Sequence, residues 1–579
     1  MKKRWTVAES VSEEFKMQFP ELDPVVLQLL FNRGVKTQEA IDVFLGPDWS
    51  RDTYGPELFS QMRVAVARVF DGLARGEVVT VHGDYDADGV CGSTVLITTL
   101  RDLCRAFGYD ESLVTWHIPH REKEGYGVAP ETIEKLHQEK NTKLLITVDC
   151  GISNKPAIDR GKELGIDTIV CDHHAMPKEL PEGAILIHPQ VPGETYPNKV
   201  LCGTGVAFKL SSGLIQESRI RGAAFLDGHE KWLLDLVAIA TVTDVMPLTG
   251  ENRVLEKYGL LVLNKTRRVG LIKLIEISGG ALGALDTFSI GFQIGPRINA
   301  AGRMNHAVDA LELLIEEDEL RATELAMRLN ETNNERRKAS DQMYREAVEL
   351  VGELGDRKMI IAAQEGWSAG LVGLVAGKLL SDYGVPVFVV GQDGEKFVGS
   401  GRSVDGFDVT QALHAASEHL DKFGGHPQAC GFSTTGVERF EMAVKLMEAY
   451  AQEFVNPEML TPEIRIDVTV TLEEVAWDLL DQLDRFRPFG QANPKPVFLS
   501  LGLKVISFSS VGKDGAHLKL RLQSPGGTIR NAIAFRFGHL IEALTLGGQV
   551  DVVHEVDVNE WNGNRELQLR VIDIKHKDL

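Results

Sequence analysis

The chain has 579 residues, 43% hydrophobic and 25% charged, a composition suited to a folded protein long enough for three or more domains. Its 62 Lys and Arg against 83 Asp and Glu give a formal charge of −21, which excludes a protein that coats nucleic acid by long-range attraction alone. No stretch sustains the roughly 18 apolar residues of a membrane span, MKKRWTVAES does not read as a secretory signal, and the six cysteines contain no C-x-x-C pair, so a cytoplasmic chain with reduced thiols and no membrane contact is expected.

Residues 1–62 read as an N-terminal extension. From Val78 to about His188 short β-branched runs alternate with amphipathic stretches, and VVTVHG, SLVTWHI, KLLITVDCG, DTIVCDHH and AILIHP predict buried strands of a mostly parallel sheet. Apolar residues then recur at helical spacing, as in WLLDLVAIATVTD and ENRVLEKYGLLVLN, and close a first domain over 63–316. The stretch 317–354 has no Pro, has Gly only at 352 and is rich in Glu, Arg, Ala and Leu, which predicts one long connecting helix. A second α/β unit over 355–456 holds KMIIAA, AGLVGLVAGKLL and PVFVV, with VGSGRS and FGGHPQACGF read as glycine-rich turns. Over 457–579 the alternating runs EIRIDVTV, HLKLRLQ, TIRNAIAF and ELQLRVIDI predict a small OB-like β-barrel. The expected fold class is thus α/β and multidomain: a parallel-sheet domain, a long helix, a second α/β domain and a C-terminal barrel.

The densest chemistry is His82-Gly83-Asp84-Tyr85-Asp86-Ala87-Asp88-Gly89, between a strand and a helix. One Asp there would be an ordinary cap. Three with an imidazole crowd like charges, which is unfavourable unless cations neutralise them. Asp149 and Asp172-His173-His174 end neighbouring strands, where α/β sheets bind their ligands. Taken singly, Asp149 could equally cap a strand, the two His could be a surface pair, and Asp244 in AIATVTDVMPL could be a helix end. Carboxylates with a minority of imidazoles suit Mn²⁺ or Mg²⁺ better than zinc, and this many acidic ligands calls for two ions.

Further along, Arg297, Asn299 and Arg303 in GPRINAAGR suit a sugar-phosphate backbone. Ser400 and Arg402, read as lying in a Gly-flanked turn, suit a terminal phosphate. In Gly424-Gly425-His426 the glycines admit close backbone approach and the ring adds a donor. The basic run from Glu335 to Lys338 reads as a solvated helix face. Arg485 and Arg487, interleaved with Phe486 and Phe489, fit either base stacking or core packing.

The ordered set HGDYDADG, VDCG, DHH and TVTD resembles the four motifs of the DHH phosphoesterases, and GPRINAAGR, GSGRS and GGHPQACGF are similar to further motifs of RecJ-type exonucleases. GQANPKPVF resembles the turn that opens the family's barrel region, with no chemical role attached. The resemblance implies that His82, Asp86 and Asp149 hold one metal and that Asp88, Asp149, His173 and Asp244 hold the other. It also makes Asp84 a supporting catalytic acid and puts His174 near the scissile phosphate. Ser400 and Arg402 would recognise a 5′ end, and Gly424, Gly425 and His426 resemble the family's glycine-His loop that approaches phosphate oxygens. The implied activity is 5′→3′ hydrolysis of single-stranded DNA to nucleoside 5′-monophosphates by a two-metal mechanism, in DNA repair and recombination. The implied partners are single-stranded DNA, a single-strand-binding protein and a RecQ-type helicase, and a monomer is expected. A DHH enzyme of small substrates is the nearest alternative, and the barrel and long helix weigh against it. A non-catalytic scaffold should have lost ligands, and here each expected position carries a competent one.

Overall fold

The computed structural model describes residues 3–561 and 563–576; residues 1, 2, 562 and 577–579, in the expected N-terminal and barrel segments, lie outside the described residues. The first sheet has five parallel strands in the order Val114–His117, Val78–Gly83, Thr142–Val148, Asp167–Cys171, Ile185–Ile187. Their near-continuous apolar runs follow from burial on both faces. Helices Met62–Ala74, Ala87–Phe107 and Gly203–Ile220 build the large core on one side, while Pro130–Lys140 and Lys155–Glu163 belong to smaller cores with the same strands. Because the strands are parallel, His82, Asp149 and Asp172 are all delivered to one edge.

The helix Glu319–Val351 runs 33 residues, starts on an Asp318 side chain that accepts from the Arg321 N–H, and stops at Gly352 with φ 61°. It leads into a mixed sheet ordered Lys422–His426, Ala429–Thr435, Lys396–Arg402, Val387–Asp393, Ile360–Glu365. Here the structure corrects the sequence reading, because VGSGRS lies on a strand of this sheet and FGGHPQACGF is a hairpin of two strands in which only Pro427 and Gln428 form the turn. The glycines serve packing: a Cβ at Gly399 would lie 2.3 Å from the Phe432 ring and one at Gly401 would lie 2.5 Å from Phe388. Strand alternation then sends Ser400 and Arg402 to the opposite face.

The C-terminal sheet closes into a five-stranded barrel, with Phe498–Val511 pairing to both His517–Gln523 and Gln549–Trp561, and Ile529–Ala534 and Asn564–His576 completing the ring. EIRIDVTV splits. Only Val468–Thr469 joins the barrel, whereas Glu463–Ile466 pairs in parallel with Arg4–Val7. The N-terminal helices Pro24–Asn32 and Gln38–Leu45 bury Leu27, Leu29, Leu30 and Phe44 in the same core as barrel residues Phe498, Leu520 and Val552. Residues 4–45 and the barrel are therefore one packed unit. The six cysteines are buried and form no disulfide. Among the described residues no helix is long and apolar enough to cross a membrane.

Candidate metal centre

The loop after Val78–Gly83 turns into the helix Ala87–Phe107 with Asp86 as its cap, the carboxylate accepting from the N–H groups of Asp88 (2.9 Å) and Gly89 (3.1 Å). Gly89 packs on the backbone of Asp84, where a Cβ would come within 2.5 Å. Asp88 points across to the start of Gly203–Ile220 and accepts from the N–H of Gly203 and of Thr204, each at 2.7 Å. That helix end, in LCGTG, is a supporting element the sequence reading missed. Its signal was the glycine: a Cβ on Gly203 would sit 2.6 Å from Asp149 Cβ.

Asp149 leaves its strand with φ 60°, a conformation that non-glycine residues seldom adopt outside constrained sites. Ligand atoms of Asp84, Asp86 and Asp149 lie within 4.8 Å of one another, as do those of Asp88, His173 and Asp244, and those of Asp149, His173 and His174. His173 Nε2 is 3.1 Å from Asp149 Oδ1, 3.6 Å from Asp244 Oδ2 and 3.8 Å from Asp88 Oδ2. Asp149 and His173 thus join the groups. His82 stands apart from these triplets, at the end of the strand below them, with a buried Nε2 that makes no hydrogen bond.

Asp84 Oδ1, Asp149 Oδ1 and Asp244 Oδ2 are likewise buried without hydrogen-bond partners. Burial, reinforced by the neighbouring carboxylates, pushes Asp84, Asp86 and Asp149 upward and Asp244 up to about 9. Burial and the nearby His117 lower His82 to about 3, so its ring is neutral and has a lone pair to offer. Unsatisfied buried oxygens, a neutral imidazole and like charges at contact distance are what a hard divalent cation would resolve.

His174 is held differently. Its Nδ1 lies 2.8 Å from Asp172, and Tyr126 Oη lies 3.0 Å from the same ring while donating to the Asp149 carbonyl at 3.1 Å. Burial would raise Asp172, but His174 and the N–H groups of Ile152 and His174 hold it at about 2. Burial would lower His174, and the Asp172 carboxylate outweighs it, so the imidazole gains a proton more readily than a free one.

The helical segment Thr287–Met304 carries GPRINAAGR behind a π-turn at Ile290–Ile294, next to Pro296, which has no N–H to give. Asn299 Oδ1 accepts from the Ala87 N–H at 2.8 Å, bracing the acidic loop. Gly302 lets the segment approach Tyr85, whose carbonyl would be 2.4 Å from a Cβ. Arg297 donates to Asn330 and to the Gln293 carbonyl. Arg303 donates to the Gly370 carbonyl at 3.2 Å, across the cleft to the second domain. Burial and repulsion from Arg121, Arg336 and Arg402 lower Arg303 to about 10, against the pull of Asp86. Arg121, which stacks on Tyr85 at 4.9 Å, was not singled out in the sequence.

Arg402 donates to Ser400 Oγ at 2.9 Å, and Gly373 at the start of Val372–Tyr383 lies against both side chains. Gly424, Gly425 and His426 are exposed on the edge strand of that sheet. Of the basic run on the long helix, Arg336 turns inward, its Nε buried without a partner, while Glu335, Arg337 and Lys338 are exposed. Phe486 is buried in the barrel core, while Phe489 lines a groove of about 630 Å³ beside the cluster.

Three family models match the chain: the DHH family N-terminal domain at 78–241, the DHHA1 domain at 356–453 and the RecJ OB domain at 466–573. The single-stranded-DNA-specific exonuclease RecJ of Bacillus subtilis (strain 168) is 35% identical over 577 residues, covering 99% of this chain and 71% of that protein. The chain belongs to the RecJ family. The Escherichia coli (strain K12) RecJ is 29% identical, with 96% of each chain covered. The structure of Thermus thermophilus RecJ in complex with Mn²⁺ superposes with TM-score 0.82 at 29% identity, covering 99% of this chain and 79% of that one; the Mg²⁺ complex gives 0.76 at 27%. This RecJ-family chain is accordingly a metal-dependent hydrolase of the exonuclease type, and its acidic cluster is a candidate site for a divalent cation, the Thermus thermophilus structures holding Mn²⁺ or Mg²⁺.

A consequence for stability follows. Acids whose folded pKa exceeds the unfolded value, near 4, contribute stability that is complete below that value and lost as pH rises through the folded pKa. With chelator, the melting temperature is expected to fall as pH rises from about 4 toward about 9, the position of Asp244. Mn²⁺ should reverse that fall and release protons on binding. Melting curves across pH with chelator or Mn²⁺ check this, and a chelated protein indifferent to pH would contradict it.

Proposed function

We propose that this chain degrades single-stranded DNA from its 5′ end to nucleoside 5′-monophosphates, acting in DNA repair and recombination. The observation that carries the reading is the cleft itself. The acidic cluster lies on one side, Ser400 and Arg402 on the other, and Arg303 bridges them within reach of Asp86, Arg121 and Arg402. A terminal phosphate in the basic pocket would leave the next phosphodiester toward the acidic cluster, which selects polarity and a one-nucleotide product.

In this reading Asp86, Asp88, Asp149, His173 and Asp244, with His82 and Asp84, hold two ions. Mn²⁺ or Mg²⁺ bound there would supply Lewis-acid stabilisation of charge developing on the phosphate. Tyr126 and Asp172 orient His174, which holds a proton toward the reacting phosphate and can give it to the leaving oxygen. The groove beside the cluster carries the rest of the strand. Phe288 and Phe292, exposed and stacked at 4.5 Å, offer an aromatic platform, and Arg336 and Lys495 offer charge. Arg297, Asn299 and the edge residues Gly424, Gly425 and His426 complete the proposed substrate contacts. A single-strand-binding protein and a RecQ-type helicase are partners carried over from the family, with the chain acting as a monomer.

The test uses single-stranded DNA labelled at either end, with Mn²⁺ or chelator. Labelled mononucleotide should appear first from the 5′ label, and only with metal. Cleavage of dinucleotides with long strands left intact would replace this reading by that of a small-substrate enzyme. Arg402→Ala should raise KM for a 5′-phosphorylated strand by about 10- to 100-fold, the worth of a charged hydrogen bond. A strand with a 5′ hydroxyl should be affected far less, and equal effects on both would remove Arg402 from the phosphate pocket.

A further inference from the structure

The sequence motif GQANPKPVF and the residues before it hold no metal and no reacting group in the reading above, yet a buried charge of the catalytic domain binds them. Arg253, on the helix Gly250–Leu263 that follows the Asp244 turn, is 2% exposed and heads the fully buried side chains by size. A guanidinium has five N–H donors, and all are used: Nε to Phe44 O at 3.0 Å, Nη1 to Phe486 O at 2.9 Å and Pro488 O at 3.4 Å, Nη2 to Arg485 O and Arg487 O, each at 2.9 Å. Four consecutive carbonyls of the segment that opens the barrel converge on this one group, and the Phe44 ring lies 4.2 Å from it. Each acceptor is a carbonyl dipole. A buried charge held this way is costly to desolvate, and without it the Phe44, Arg485 and Arg487 carbonyls would lose their side-chain donor.

The same segment is stiffened from its other side. Asn493, fully buried, donates to Phe486 O and Pro488 O at 2.8 Å and accepts from Arg33 Nε at 2.9 Å. Beyond these anchors the chain presses on the groove: the Leu248 N–H donates to Gln491 O at 2.8 Å, Thr287 Oγ1 donates to Phe489 O at 2.7 Å, and Gly490 meets Leu248 where a Cβ would be 2.7 Å away. Phe489, Gly490, Gln491, Pro494 and Lys495 form one wall of the groove, and the catalytic domain, with Arg336 of the long helix and Leu374 of the second domain, forms the rest. The groove therefore has its shape only while this segment is docked.

We propose that Arg253 is a positioning residue that latches the segment 485–495 to the catalytic domain and thereby makes hydrolysis depend on strand length. The proposal rests on the reading of the groove as the strand's path. A dinucleotide occupies the cleft alone and does not need the wall, whereas a long strand does.

The test uses full-length Arg253→Met, which keeps the bulk and removes the five donors, and Arg253→Lys. Hydrogen exchange at the Leu248 amide should speed up in Arg253→Met. Its KM for long single strands should rise by about tenfold or more, with fewer nucleotides released per encounter and unchanged kcat on a dinucleotide, and Arg253→Lys should fall between it and the parent. Asn493→Ala, which loosens the segment from the barrel side, should reproduce the same split. Unchanged exchange in Arg253→Met, unchanged long-strand KM despite faster exchange, or equal losses on both substrates would each overturn the latch. Phe292→Ala separates the two levels. If it leaves long-strand KM unchanged, the groove reading fails and the latch's role fails with it; if it raises KM while Arg253→Met does not, the latch alone fails.

Discussion

Asp149→Asn is expected to lower nucleotide release by about 10³-fold or more, since a few kcal/mol of charge stabilisation at the phosphate would go with the ligand. The same substitution should raise the melting temperature of the chelated protein. Asp149 is buried among Asp84, Asp86, Asp88 and Asp244, and its charge is unwelcome there without a cation. Asn is the right probe because it tolerates φ 60°, where Ala would add backbone strain of its own. The backbone links, from the Asp149 N–H to Cys171 O at 2.9 Å and from Tyr126 Oη to Asp149 O, stay possible. Titration calorimetry with Mn²⁺ and melting in chelator are the paired measurements. A variant that loses activity and is also less stable without metal would show that Asp149 is primarily a packing residue.

Gly203→Ala is expected to cost about 100-fold in activity, in the range of losses from groups that support metal ligands, and about 1–3 kcal/mol in stability from overpacking. The added methyl would lie 2.6–2.8 Å from Asp149 Cβ, Oδ1 and Cα, and the Cα belongs to a rigid strand end. Relief requires the helix Gly203–Ile220 to retreat, which pulls the two N–H groups at 2.7 Å away from Asp88. One methyl therefore disturbs an acid in each group. Steady-state rates at saturating Mn²⁺ and chemical unfolding check both numbers; a fully active Gly203→Ala would mean that the helix end can move without cost to the cluster.

The parallel sheet, the long helix and the barrel were legible because burial on two faces, absence of breakers and period-two alternation each leave a direct trace in the sequence. The acidic cluster was legible because three alternating carboxylates beside an imidazole have no comfortable arrangement without a cation. Ser400 and Arg402 were misplaced in a turn and stand on a strand, since Gly399 and Gly401 answer to phenylalanine rings on a strand over 30 residues away or on the neighbouring one. Arg121, Tyr126, Gly203 and Arg253 escaped notice for a related reason. Their partners are distant in sequence, and nothing local marks an arginine that will be buried or a glycine that will face a carboxylate. Asn299 reads as polar and available, yet its oxygen is committed to the Ala87 N–H.

The core shared by residues 4–45 and the barrel has a bearing on how the chain is made. Leu27, Leu29, Leu30 and Phe44 leave the ribosome more than 400 residues before Phe498, Leu520 and Val552, the side chains that cover them. At synthesis rates of about 5–20 residues per second, that is a wait of roughly 20 to 100 seconds. For that interval an apolar helical pair has no permanent cover, while the catalytic sheet beside it can already fold. Holding nascent chains back from aggregation should matter most for this stretch, and slowing translation should hurt the yield of folded protein more than warming the finished one mildly does.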